Sequence, residues 1–178
     1  MVSFYTDVQE KVFEEICSIV GKDRLPCWND RHYMPYTKAV IKETHRWSSF
    51  TPFIFRTARA DASILGHFIP KGTNIIANFW AINRDESLWE NANEFNPNRF
   101  LDADGNEVNK EELIPFSYGK RSCAGETMAR IELFLFFTSI LQKYRLEIPE
   151  DCKFSLDSEV TATLKPMEKL MLRLIPRP

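Results

Sequence analysis

The chain has 178 residues, 27% charged and 44% hydrophobic, with a formal net charge of −2 and a pI near 6.0. That mix excludes a disordered or collagen-like chain, and it leaves no basic excess for nucleic acid or anionic membrane and no acidic solubilising tail. The length suits one globular domain with a real core, and 14 Phe with 4 Trp suit burial around something large and flat.

Residues 1–16 lack the apolar core of a signal peptide. From Asp7 to Val20 the residues Val8, Val12, Phe13, Ile16, Ile19 and Val20 keep helical spacing, and Gly21 stops the helix. A second helix is predicted from Pro35 to Trp47, with Tyr36, Ala39, Val40 and Thr44 on related faces. Phe53–Arg59 and Ser63–Ile69 read as extended. Pro70-Lys71-Gly72 reads as a turn and Thr73–Phe79 as a returning strand, which together make a small antiparallel sheet. A short helix is expected near Arg84–Glu90. Residues 91–115 are rich in Asn, Pro and Asp, with a turn at Asp104-Gly105-Asn106; so long an irregular stretch in a compact domain is usually functional.

Pro115–Gly125 reads as a loop that opens a long helix, Glu126–Lys143, apolar on most sides. The apolar run Ile131–Leu141 is too short to span a bilayer and reads as a buried helix. A last hairpin is expected from Val160–Leu164 and Lys169–Leu174, turning at Lys165-Pro166-Met167-Glu168. The predicted fold class is α+β, mainly α, with small antiparallel sheets.

The four cysteines, Cys17, Cys27, Cys123 and Cys152, form no C-x-x-C pair. A zinc ribbon is excluded by spacing, and a disulfide framework does not suit this density. The reading is a reducing compartment, with a cysteine available for other chemistry. The three histidines, His32, His45 and His67, are scattered and suggest no metal site. His45 reads as a packing residue.

Residues 116–125, Phe-Ser-Tyr-Gly-Lys-Arg-Ser-Cys-Ala-Gly, are the most informative segment. Cys123 is expected at the start of a helix, where free N–H groups and the helix dipole stabilise a thiolate. Gly119 and Gly125 allow tight turns and close approach of a bulky group. Arg121 can clamp a carboxylate with two hydrogen bonds, and Phe116 offers an aromatic wall. Together they suit a planar ligand with acidic arms. An inert buried cysteine is the bland alternative. A cysteine phosphatase needs an Arg six residues after the Cys, and that position is Ala129.

Phe116, Gly119, Arg121, Cys123 and Gly125 fill every fixed position of F-x-x-G-x-R-x-C-x-G. The segment resembles the haem-binding loop of the cytochrome P-450 superfamily, the haem-thiolate monooxygenases. The run from Glu126 to Phe137 looks like the helix after the cysteine in animal microsomal members. Glu43-Thr-His-Arg46 matches the family's E-x-x-R, with both charges on one helix face. Arg99, in Phe95-Asn-Pro-Asn-Arg-Phe100, fits the third member of that network. A buried network of this kind fixes geometry more than it adds stability.

The resemblance covers nearly the whole chain. It implies that residues 1–178 are a single partial domain, the C-terminal haem-binding third of a longer monooxygenase. The membrane anchor, the substrate-access region and the distal helix with its acid–threonine pair fall outside it, and the start at Met1 agrees with a partial or truncated chain. The implied cofactor is haem b with Cys123 as axial thiolate, pushing electron density onto the iron. N–H groups around Gly125 would tune the sulfur, and Arg121 and Arg56 would pair with propionates. Phe50, Phe53, Ile54 and the stretch Val160–Thr163 would face the substrate, a lipophilic small molecule. Lys120 and Arg130 would steer an NADPH-dependent flavoprotein reductase. No nucleic-acid partner is implied, and the full-length protein would sit at the endoplasmic reticulum membrane. The chain by itself is expected not to turn over substrate. The competing expectation is a truncated, non-catalytic isoform that binds haem weakly or occupies the reductase.

Overall fold

A computed structural model describes residues 1–152, 158–160, 164–166 and 171–177. Helix α1, Thr6–Ile19, turns Val8, Val12 and Ile16 inward. Helix α2, Pro35–Ser48, has Pro35 in its first turn and no side-chain cap of its own. Glu15 of α1 supplies one instead: its carboxylate accepts from the N–H groups of Tyr36 at 2.9 Å and Thr37 at 2.7 Å. Those donors have no partner inside the helix, so a carboxylate there satisfies them and complements the dipole.

Helix α2 lies between two apolar clusters. Val40 joins Val12, Ile16, Met34, Phe134 and Leu141 on one side. Ala39 joins Trp89, Ala92 and Phe100 on the other. Its polar residues Glu43 and Arg46 are also fully buried.

After α2 the chain forms β1 (Phe53–Thr57), β2 (Ala62–Ile64), β3 (His67–Ile69) and β4 (Asn74–Asn78). β1 pairs antiparallel with β4, Ile54 opposite Ala77. The expected continuous strand Ser63–Ile69 is instead the hairpin of β2 and β3, turned at Leu65 and Gly66 with φ of 48° and 83°. Two successive positive φ values match the right-handed twist of the flanking strands. A four-residue turn of helix, α3, covers Phe79–Ile82.

The helix expected near Arg84–Glu90 is absent. Asp85 Oδ1 accepts from the N–H and hydroxyl of Ser87, which closes a local turn in place of a helix. The stretch that follows is largely irregular and holds a short 3₁₀ turn, Pro97–Phe100.

Helix α4, Glu126–Lys143, runs straight into β5, Tyr144–Glu147. It was expected to be buried. Phe134, Thr138 and Leu141 are, but Leu133, Phe136 and Ile140 are exposed, so one side packs on α1 and α2 and the other does not. Among the described residues no helix is long and apolar enough to cross a membrane.

β6 (Ser158–Val160) pairs with β7 (Leu164–Pro166), and β8 (Arg173–Pro176) pairs with β5. The expected last hairpin is therefore corrected in its partners. Lys165 and Pro166 lie in a strand and not in its turn, and Arg173 and Leu174 pair with Glu147 and Leu146. Thr161–Thr163 and residues 167–170 lie outside the described residues.

Candidate functional site

A cavity of about 630 Å³ opens between α2, β1, α3, α4 and the loop that precedes α4. Cys123, Arg121 and Phe116 from the loop, His45 from α2, Phe50, and Ile54 from β1 are among its walls. Phe79, Ile82, Ile114 and Leu133 add apolar wall, and Thr44, Ser48, Ser49, Thr51, Asn83 and Ser117 add small polar groups.

Cys123 is exposed and unpaired with any other cysteine. It does not open the helix. Gly125 is the N-cap of α4, and Cys123 stands two residues earlier. The backbone holds it from both sides. Its N–H donates to Phe116 C=O at 2.8 Å, and its own C=O accepts from Glu126 N–H at 3.3 Å. Ser117 and Gly119 have φ of 65° and 73°, so the loop turns through the left-handed region twice before the cysteine. Gly125 differs from the expected tight turn. Its φ is −93°, open to any residue, and a Cβ there would meet Cys123 Sγ at 3.9 Å, an ordinary contact.

The Phe116 ring is half-buried. His45 meets it edge-on, with centroids 5.5 Å apart, and the Arg130 guanidinium lies 4.9 Å from its centroid. Arg130 is also paired with Glu126 at 2.8 Å. Burial, and then the charge of Arg130, push the His45 imidazole down to about 4, so it is neutral at pH 7.

Arg121 and Arg56 are both exposed. Arg56 Nη2 reaches Arg121 C=O at 3.4 Å, which brings the middle of β1 to the cysteine loop. Phe50, 64% exposed, and Ile54 line the cavity. Phe53 does not. Strand alternation puts it on the face of β1 opposite to Ile54 and Arg56. Of Val160–Thr163, the last three residues lie outside the described ones and Val160 is placed only in β6. Lys120 is exposed and forms no ion pair among the described residues.

Beside the cavity, the Glu43 carboxylate accepts from Arg46 Nε at 2.7 Å and Nη2 at 2.8 Å, and from Arg99 Nε at 3.2 Å. Asn96 N–H adds a fourth bond at 2.8 Å. The remaining Arg46 protons go to the carbonyls of Asn83, Ala92 and Glu94. Arg99 donates to the carbonyls of Glu90, Asn91 and Glu94. These bonds hold the irregular stretch 83–99 against α2 with every buried charge partnered.

The walls Ile114, Phe79, Ile82 and Leu133 carry no motif in the sequence. His45 was legible as a packing residue, but its contact with Phe116 was not. The only available signal was its place between Glu43 and Arg46.

The set suits a flat ligand that carries an electrophilic metal and acidic arms. It has one free thiol, the Arg121 guanidinium with Arg56 next to the same loop, and aromatic and aliphatic walls.

The chain is similar to known proteins along nearly its whole length. A family model described as Cytochrome P450 matches residues 4–173. Cytochrome P450 2U1 of Bos taurus is 42% identical over 93% of this chain and 31% of its own length. Cytochrome P450 2D1 of Rattus norvegicus is 43% identical over 84% of this chain and 30% of its own length. A solved zebra fish cytochrome P450 with abiraterone superposes with a TM-score of 0.90 at 35% identity, covering 99% of this chain and 41% of that one. The chain thus spans roughly a third of the length of the curated relatives it matches.

Proposed function

Because the chain belongs to the cytochrome P450 family, we propose that Cys123 is the axial thiolate ligand of a haem b iron. The longer protein is a monooxygenase. It puts one oxygen atom of O2 into a lipophilic organic substrate, with electrons from an NADPH-dependent flavoprotein reductase, at the endoplasmic reticulum membrane. The observation that carries this reading is the exposed Cys123 thiol on the wall of a cavity that Arg121 also lines, with Arg56 reaching the Arg121 carbonyl.

These residues fit the group. The thiol supplies the soft ligand, and the guanidiniums match carboxylate arms in shape and charge. Phe116, Leu133 and Ile54 offer flat apolar walls. When bound, the haem supplies the oxygen chemistry, and a thiolate donor favours O–O cleavage.

The chain's own residues do the rest. The Cys123 N–H is taken by Phe116 and the Glu126 N–H by Cys123 C=O. The N–H groups of Ala124 and Gly125 are left to hydrogen-bond the sulfur and tune it. Phe50, Ile54 and Phe79 keep water from the substrate side and seat an apolar molecule. The Glu43–Arg46–Arg99 network holds the scaffold around the site. The reductase docks on the face bearing Lys120 and Arg130, where Lys120 is the cation without an ion-pair partner among the described residues.

The test is reconstitution of the full chain with haemin, followed by the carbon monoxide difference spectrum of the reduced protein. A thiolate-type Soret band is expected, absent in Cys123→Ser with the far-ultraviolet circular dichroism unchanged. Retention of that band in Cys123→Ser would overturn the assignment.

A further inference from the structure

We infer that Arg130 and His45 are positioning residues for the cysteine loop, acting through the ring of Phe116. The inference rests on the haem-thiolate reading only for its effect on the iron; the geometry stands without it.

Phe116 carries both a gripped ring and the carbonyl that holds Cys123. Its C=O accepts from Cys123 N–H at 2.8 Å. A shift of the Phe116 side chain therefore moves the acceptor that orients the ligand. The ring is held by two groups, the Arg130 guanidinium 4.9 Å from its centroid and the His45 imidazole edge-on at 5.5 Å. A cation near an aromatic centroid is attracted by the ring quadrupole, and an edge-to-face aromatic contact is likewise favourable.

The contacts close on themselves. Arg130 Nε donates to Glu126 Oε1 at 2.9 Å, and Glu126 N–H donates to Cys123 C=O at 3.3 Å. The circuit runs from Cys123 to Phe116, to Arg130, to Glu126 and back to Cys123. An arginine serving only as a surface charge needs none of these contacts.

His45 braces the circuit from outside. It sits between Glu43 and Arg46, whose side chains are fully buried and pinned by the network. With Leu133 it also forms the shared wall between the large cavity and a second cavity of about 90 Å³ that Arg130 lines. An uncharged imidazole can face Arg130 without repulsion, in keeping with its depressed proton affinity.

Hydrogen exchange at the Cys123 amide in the full chain tests this without haem. Arg130→Met and His45→Ala should each speed exchange there about tenfold, a size set by contacts of this kind. Arg130→Lys and His45→Phe should restore part of the protection, because each keeps the cation or the aromatic edge. Amides of Phe134–Thr138 in α4 report global opening and should not change. Unchanged exchange at Cys123, or equal acceleration at Phe134–Thr138, would overturn the inference. In the haem-loaded protein the same variants should shift the midpoint potential while keeping the thiolate-type spectrum. Failure of the unsubstituted protein to show that spectrum would sink the haem reading alone, since the exchange result does not depend on it.

Discussion

The side-chain amide of Gln9 pairs with the backbone of Leu146 as a neighbouring strand would. Its Oε1 accepts from Leu146 N–H at 2.6 Å, and its Nε2 donates to Leu146 C=O at 3.0 Å. A further bond from Nε2 reaches Val2 C=O at 3.0 Å. A fully buried polar residue thus ties α1 to β5 across most of the chain.

Replacing Gln9 with Leu keeps the volume and orphans three backbone groups. The expected loss is about 3 kcal/mol, the cost of leaving buried donors and acceptors unpaired. Urea unfolding checks this. A loss within error of zero would mean that water reaches those groups and that Gln9 is not a structural tie.

Arg46 and Glu43 are both fully buried. Arg46→Met should cost about 3–5 kcal/mol by leaving a buried carboxylate short of its principal cation, with Arg99 alone beside it. The double variant Glu43→Leu/Arg46→Met should lose less than the sum of the single losses. Additive losses in a double-mutant cycle would argue against direct coupling.

His45 makes stability depend on pH. Its folded pKa is pushed down to about 4 from the ordinary 6.5, so between those values the unfolded chain binds a proton that the folded chain refuses. The contribution is present above pH 6.5 and is lost as pH falls toward about 4, by about 3 kcal/mol at most. His45→Phe should flatten that part of the profile relative to the unsubstituted chain. Parallel profiles for the two proteins would show that the imidazole is not buried in its neutral form.

Lys120 tests the docking face separately from the Phe116 clamp. Lys120→Glu should slow electron transfer from the reductase several-fold at low salt, with the difference shrinking as salt rises, while haem content stays constant. A stopped-flow reduction assay at two ionic strengths reads this. Loss of haem in the variant would count against a role in steering alone.

Much of the site was legible because its signals are local. The period of Val8, Val12 and Ile16 specifies α1, and the i, i+3 spacing of Glu43 and Arg46 puts both charges on one face whatever lies around them. Left-handed φ at Gly119 needs only the absence of a Cβ. The spacing of Phe116, Gly119, Arg121, Cys123 and Gly125 is written in the chain itself. Two departures from the local pattern fall where two local outcomes are nearly equal. Asp85 and Ser87 could start a helix or close a turn, and the turn prevailed. Leu65 and Gly66 could extend a strand or reverse it, and they reverse it.

From its residues alone the chain determines its three long helices, the order of its motifs and the family to which they belong, because periodicity, turn chemistry and motif spacing act over a few residues. The packed chain decided the rest. It paired Arg173–Pro176 with Tyr144–Glu147, put Arg56 against the cysteine loop and Phe53 on the other face of its strand, and gripped Phe116 between His45 and Arg130. Strand partners, burial and side-chain contacts depend on residues far apart in sequence, so no local pattern specifies them.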